Sequence, residues 1–349
     1  MPLKAFPVRL LAWWDQHGRK DLPWQHPRSP YRVWVSEIML QQTQVATVIP
    51  YFDRFMARFP DLPTLARAPL DEVLACWAGL GYYARARNLH QAAQQVVAEH
   101  NAELPESAAA LAALPGVGES TANAIVSQAH DVPAAVLDGN VRRVLARHAA
   151  IGGWAGKKGV SRALWEAARQ RLPDARGAAY TQAIMDLGAT VCVHDRPRCG
   201  QCPVAADCQA RLAQAVHAYP APRPKVGVRE VRLHMLILTR PDGSVLLERR
   251  PESGIWGGLW SLPDSECLET LARDYRLDAG QLEALPHVRH RLTHRLLDIR
   301  PLRARSIRGA QKVQWNENRN WYGCKEWPGL GLPKPVLGLL QRYVNGESA

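Results

Sequence analysis

The chain has 349 residues, 47% of them hydrophobic and 22% charged, which excludes a disordered, collagenous or fibrous protein and leaves room for two domains. Lys and Arg total 44 against 32 Asp and Glu, a formal charge of +12 with both halves of the chain basic, so a polyanionic partner is expected. No apolar run approaches the roughly 20 residues of a membrane span. The N-terminal MPLKAFPVRLLAWW reads as an amphipathic helix without a cleavage pattern, and seven cysteines are too few for a disulfide scaffold, so a cytoplasmic protein is expected.

From Pro7 to about Leu212 the pattern is helical, with Ala- and Leu-rich segments at 31–48, 71–78, 84–100, 106–113, 119–130, 138–149 and 161–171, punctuated by Pro and Gly. The Pro-rich stretch from Tyr219 to Lys225 cannot continue a helix and predicts a linker. Beyond it the texture changes. Strands are expected at 231–238 and 244–250 around a Pro241-Asp242-Gly243 turn, a long strand from Pro286 to Pro301, and helices at 265–275 and 334–344. The fold class is therefore multi-domain: an all-α domain over 1–216, a linker over 217–230 and an α+β domain over 231–349.

Four motifs in the first domain carry chemistry. Leu114-Pro115-Gly116-Val117-Gly118 sits between helical segments. Two glycines one apart permit a tight turn that exposes N–H groups at a helix start, where the dipole favours an anion such as DNA phosphate; Gly116, Val117 and Gly118 are the candidate DNA-backbone contacts, and a plain Gly turn is the alternative. Asp138 begins the next helix. It reads as an N-cap, or as a carboxylate that stabilises positive charge on a sugar. Glu37 is flanked by Val35, Ile38, Met39 and Leu40; it is either solvated or partly buried with a raised pKa, fit to act as an acid near neutrality. Cys192, Cys199, Cys202 and Cys208 form a single CxxC flanked by longer gaps, a spacing that suits a cubane 4Fe-4S cluster better than zinc, with Arg196 and Arg198 inside the loop.

These motifs, in this order, resemble the helix-hairpin-helix DNA glycosylase superfamily, iron-sulfur subgroup, over residues 7–216. Two branches share the cysteine cluster. In endonuclease III the residue two beyond the hairpin is a Schiff-base lysine; here it is Ser120, which cannot form an imine. Asp21-Leu-Pro-Trp24, Trp34 to Gln44 and Gly79-Leu-Gly-Tyr-Tyr-Ala84 match instead the MutY family of adenine glycosylases. That resemblance implies a monofunctional base-excision enzyme, bacterial and nucleoid-associated, that acts as a monomer on double-stranded DNA with adenine opposite 8-oxoguanine or guanine. It flips the adenine out, hydrolyses its glycosidic bond and leaves an abasic site. Glu37 would protonate N7 and Asp138 stabilise the sugar cation. Trp24, Gln182, Gln41, Gln42, Leu80, Tyr82 and Ser120 would form the base pocket and the wedge in the stack, although Tyr82 also reads as a core aromatic.

The second domain resembles the Nudix hydrolases. Nucleotide hydrolysis would need a Glu-rich REuxEE core, and Leu262 to Asp274 has scattered acids and none. Gly254 to Pro263 and His290 to Asp298 resemble instead the lesion-reading segments of the family's 8-oxoguanine module. Leu292, Thr293 and His294 stand at the tip, where the family usually has Phe-Ser-His or Phe-Thr-His. Arg289, Arg291, Arg295, Arg300, Arg303, Arg305 and Arg308 oppose only Asp298 in this reading and form either a solvated surface or a phosphate-contacting stripe. A helix-hairpin-helix protein that binds DNA without catalysis is the other class of function, and the presence of both Glu37 and Asp138 argues against it.

Overall fold

The structure is a computed structural model that describes residues 2–224, 227–304 and 318–345. Packing divides the chain into two compact units, and the division does not run only along the proline-rich linker: residues 1–67 and 88–225 form one unit, residues 68–87 and 226–349 the other.

Unit 1 is helical. It contains α1 (Pro2–His17), α2 (Pro30–Leu40), α3 (Val45–Arg58) and α4 (Leu62–Arg67). The chain then makes α5 (Leu70–Trp77) of unit 2 and re-enters along α6 (Ala84–Glu99), within which the boundary falls. α7 (Ala108–Ala112), α8 (Glu119–His130), α9 (Gly139–His148), α10 (Lys158–Arg169), α11 (Gly177–Asp186) and α12 (Gln209–Leu212) complete it. The single helix expected over 31–48 is two. α2 starts cleanly because the Ser29 hydroxyl accepts from Arg32 N, but the chain leaves the helix at Gln41 and takes a left-handed φ of 59° at Gln42 before α3 begins. This break turns Gln41 and Gln42 into a presented corner.

α8 packs on α2, α7 and α11, and α11 packs on α1. The core beside it combines Phe6 and Leu10 of α1 with Leu137, Val141, Val144 and Leu145 around α9 and Ile184 and Leu187 from the end of α11. α11 runs into a π-helical turn, Leu187–Val191, that delivers the chain to Cys192. Close approach of that turn to α9 depends on Gly188: a Cβ there would meet Cβ of Asn140 at 2.6 Å and its backbone C and Cα at 3.0 Å.

Unit 2 is α+β. β1 (Arg229–Leu238) and the turn through Gly243, whose φ of 82° needs glycine, lead to β2 (Val245–Arg249), as the Pro-Asp-Gly signal predicts. β3 (Trp260–Ser261), β4 (Asp264–Ser265), α13 (Leu268–Asp274), β5 (Leu282–Ala284), β6 (Val288–Arg291), β7 (Arg295–Ala304), β8 (Arg319–Tyr322) and α14 (Lys334–Tyr343) follow. One sheet has the order β4-β1-β7-β5, with β6 also on β7; the other has the order β3-β2-β8. β1 and β7 run parallel, Val231 opposite Leu297, and strand alternation gives each a buried side chain on both faces. Val231, Leu233, Met235, Leu297 and Ile299 point to a core with α14, while Leu236, Leu238, Leu302 and Ala304 point to a core with α13.

The single strand expected from Pro286 to Pro301 is a hairpin. β6 and β7 pair antiparallel, Val288 opposite Ile299, and Leu292 N donates to Arg295 O at 2.8 Å to close the turn. The run read as one long strand is two strands around a polar tip, Thr293-His294.

Gly188→Ala should lower the stability of the protein by about 1–3 kcal/mol, because the new methyl meets helix backbone that cannot rotate away. A thermal melt of the full chain beside the parent protein measures it.

Candidate active site

Glu37 lies on α2, a helix whose remaining face is buried through Val33, Trp34, Val35, Ile38 and Met39. It is half-buried, and its Oε1 accepts a 2.6 Å hydrogen bond from Nε2 of Gln128 on α8. Burial pushes its carboxyl up to about 7; the nearby Asp138 charge adds to this and the Gln128 amide opposes it. Sequence reasoning did not find Gln128, although a glutamine next to Ile125, Val126 and Ala124 in an otherwise buried stretch was a signal of a paired polar group.

Asp138 is the N-cap that its position suggested. Its Oδ1 accepts from Val141 N at 2.7 Å, so it caps α9, and it also lines the cleft that Glu37 faces. Burial raises its pKa, while the N–H groups of Val141 and Asn140 and the charges of Arg143 and Arg142 hold it down. The extended segment that carries it is pinned from α8: Ser120 Oγ accepts from Leu137 N at 2.8 Å and Asn123 Nδ2 donates to Ala135 O at 2.7 Å. Ser120 therefore has a definite task in placing Asp138.

The cleft has a volume of about 1030 Å³ and lies wholly within unit 1. Trp24, Gln41, Gln42, Ser120, Gln182 and Gly118 join Glu37 and Asp138 in its lining. Trp24 is buried edge-on against Phe52, Gln41 Nε2 reaches Thr121 Oγ1 at 3.3 Å, and Gln42 is exposed. At the hairpin, Gly116 has a φ of 77° and Gly118 stands at the N-cap of α8; the Val117 side chain is buried, so only its backbone is available. Arg19, Asn140 and Arg143 line the cleft as well and were not singled out in the sequence.

The four clustered cysteines border one small cavity together with Val144, Leu187, Val191 and Val204. Buried Arg147 ties the loop down: its guanidinium donates to the carbonyls of Val193, His194, Val216 and Tyr219 and lies 3.4 Å from Cys192 Sγ. Burial and the neighbouring thiolates push the Cys202 thiol up to about 12, so four ionised sulfurs in this cavity call for a cationic group among them. None of the four is in a disulfide, and among the described residues no group of three or more His, Cys, Asp or Glu side chains is drawn together around a single metal ion. Arg196 and Arg198 are exposed on the loop.

Leu80 and Tyr82 are residues of unit 2. Leu80 is buried, whereas Tyr82, 44% exposed and at a φ of 50° between Gly81 and Tyr83, stands outward. Its hydroxyl lies 2.9 Å from Thr293 Oγ1 at the tip of the β6–β7 hairpin, a pairing no sequence signal announced. Leu292 packs into the core below and His294 is exposed. The arginine run is less uniform than its sequence suggested. Arg303 is paired with Glu283 at 2.9 Å and Arg300 with Asp298 at 3.0 Å, so Asp298 is not the only opposing acid; Arg305 and Arg308 lie outside the described residues. Arg289, Arg291 and Arg295, on the hairpin itself, are exposed. α13 carries Glu269 and Asp274 as its only acids, too few for a Nudix cation site.

Residues 35–187 match the HhH-GPD superfamily of base excision DNA repair proteins, and residues 234–342 match the NUDIX domain. Fold and site thus define a helix-hairpin-helix base-excision repair protein with a Nudix-like second domain. The adenine DNA glycosylase of Buchnera aphidicola is 33% identical over 341 residues, which cover 97% of each chain; the human adenine DNA glycosylase is 39% identical, covering 82% of this chain and 63% of that one. The chain belongs to the adenine DNA glycosylase family and is a DNA N-glycosylase. Among solved structures, a thermostable thymine-DNA glycosylase aligns with 28% identity and a TM-score of 0.55 over 61% of this chain and 97% of that one. A non-covalent endonuclease III–DNA complex aligns with 22% identity and a TM-score of 0.51, covering 60% and 94%, and shows the same fold.

Because the Glu37 carboxyl titrates near 7 in the folded protein and near the ordinary 4.5 when unfolded, folding takes up a proton between those values. Its contribution to stability is fully present below about 4.5 and is lost as pH rises through about 7. Glu37→Gln removes that loss, so the variant should gain in melting temperature over the parent at pH 8 relative to the difference at pH 4. An equal difference at the two pH values would show that Glu37 is not an elevated acid.

Proposed function

We propose that the protein is a monofunctional adenine DNA glycosylase that acts as a monomer on duplex DNA in the bacterial nucleoid and removes adenine paired with 8-oxoguanine or guanine. The observation that carries this reading is the Glu37 carboxyl, pushed up to about 7 in a cleft that it shares with Asp138. A base inside the duplex cannot reach the floor of such a cleft, so the adenine is flipped out, at an unstacking cost that a mispair lowers. Gln42, exposed in unit 1 at the corner between α2 and α3, and Tyr82, exposed in unit 2, would fill the gap.

Glu37 in its protonated form gives its proton to N7 and makes the adenine a neutral leaving group. Asp138 faces the positive charge that develops on the sugar. Glu37, now a carboxylate, takes a proton from the attacking water, and the product is an abasic site. Ser120 supplies no amine, and its hydroxyl is occupied with Leu137 N, so no covalent imine forms there. The α8 N-terminus behind Gly116-Val117-Gly118 holds a phosphate. Cys192, Cys199, Cys202 and Cys208 would hold a 4Fe-4S cluster, whose contribution would be structural, the loop it closed presenting Arg196 and Arg198 to DNA. In the second domain, Thr293 and His294 would read the 8-oxoguanine left opposite the gap.

A duplex with labelled adenine opposite 8-oxoguanine should be cut only after alkali treatment, and the single-turnover rate should fall as pH rises above about 7. Glu37→Gln should abolish excision with duplex binding retained. Near-normal excision by that variant would remove Glu37 from the mechanism.

The purified protein should be brown and hold about four iron and four sulfide per chain. Substituting any of the four clustered cysteines by Ser should weaken that colour. Stoichiometric zinc in colourless, anaerobically purified protein would overturn the cluster assignment.

A further inference from the structure

Asp186 is 1% exposed at the end of α11, one turn beyond Gln182, which is 4% exposed and lines the cleft. Five N–H groups converge on its two oxygens. Oδ1 accepts from Gln182 Nε2 at 2.8 Å and from Arg19 Nε and Nη2 at 2.9 and 2.7 Å; Oδ2 accepts from Arg19 N at 2.9 Å and Trp14 Nε1 at 3.1 Å. A carboxylate so surrounded offers only lone pairs, so the Gln182 amide must turn its NH2 toward it. The half of the amide left for the cleft is the carbonyl oxygen, which can only accept. Arg19, also in the cleft lining, has its Nε and Nη2 drawn to the same carboxylate and away from any ligand.

We propose that Asp186 is a positioning residue that fixes the polarity of Gln182, and thereby makes the cleft select a purine with an amino group at C6 over one with a carbonyl there. The inference rests on the adenine glycosylase reading and names what enforces its base choice. Adenine presents an N6–H donor to Gln182 Oε1. Hypoxanthine, identical in outline, presents an oxygen to an oxygen, and the Asp186 clamp denies the amide the flip that would relieve the repulsion. A buried acceptor left facing an acceptor discriminates more strongly than a change of shape does.

Single-turnover excision by the full chain from two duplexes, adenine or hypoxanthine opposite 8-oxoguanine, tests this. Asp186→Asn offers the amide a donor as well as an acceptor, frees Gln182 to flip, and should lower the adenine-to-hypoxanthine rate ratio by at least about tenfold. Gln182→Leu leaves Asp186 its four remaining donors and should flatten the ratio to a similar extent. In that background Asp186→Asn should change the ratio no further, because it acts through the missing amide. A parallel fall in both rates with the ratio unchanged would reduce Asp186 to a structural role and overturn the inference. Should Asp186→Asn not fold, a ratio preserved by Gln182→Leu overturns it equally. Failure of the unaltered chain to excise adenine at all would instead bring down the glycosylase reading beneath it.

Discussion

Two carboxyl groups share one cleft, and burial, with the Asp138 charge adding to it, makes ionising Glu37 costly enough that it holds its proton to near neutrality. Much of unit 1 serves to keep that arrangement asymmetric. Glu37 is set among buried neighbours on α2 and accepts from the neutral amide of Gln128. Asp138 is given the N–H groups at the start of α9 and the charges of Arg142 and Arg143. Burial raises both carboxyls, but only Asp138 has N–H donors and arginine charges that oppose the rise, so the two differ by environment alone. Arg143 extends the arrangement outward. It bonds Asn140, Gly188 O and Cys192 O, so the helix that carries Asp138 is tied directly to the first cysteine of the cluster loop.

Legibility from the sequence followed the range of the interaction. Glu37, Asp138, the glycine hairpin and the four cysteines could be read because each is a local pattern: a carboxylate in an apolar run, a cap before a helix, a turn, a spacing. The hairpin turn at Gly243 could be read for the same reason. Gln128, Arg147 and Asp186 could not, since each acquires its task from residues as much as 172 positions away that only the packed chain brings near. The helix expected over 31–48 failed at Gln41 to Gln44 because hydrophobic periodicity does not register a left-handed residue whose side chain carries no glycine signal. The strand expected over 286–301 failed because the two-residue tip, Thr293-His294, has no Gly, Pro or Asn to signal a turn, although the core-facing positions change parity across it, from Val288 and Leu292 to Leu297 and Ile299.

The second unit puts its polar information on one hairpin. Leu292 is turned down into the core, which accounts for an aliphatic residue at the tip: it is packing material, and Thr293 and His294 are what the turn displays. Arg289, Arg291 and Arg295 surround that display, whereas Arg300 and Arg303 along the strand are already satisfied by Asp298 and Glu283. Charge counted along a sequence overstates what a surface offers, because acids on the same strand, such as Asp298, and across from it, such as Glu283, cancel part of it.

The membership of residues 68–87 in the second unit has a consequence for how the two units can be recombined. Asp71 receives Arg249, Arg87 receives the carbonyls of Glu252 and Gly257 and Tyr82 meets Thr293, so this stretch, encoded in the middle of the first domain, is fitted to partners encoded more than 150 residues later. A chimaera of two such proteins spliced at the proline-rich segment would take the Tyr82 loop from one parent and its docking surface from the other. The second unit is accordingly discontinuous in the sequence, and a graft that respects the physics has three junctions instead of one.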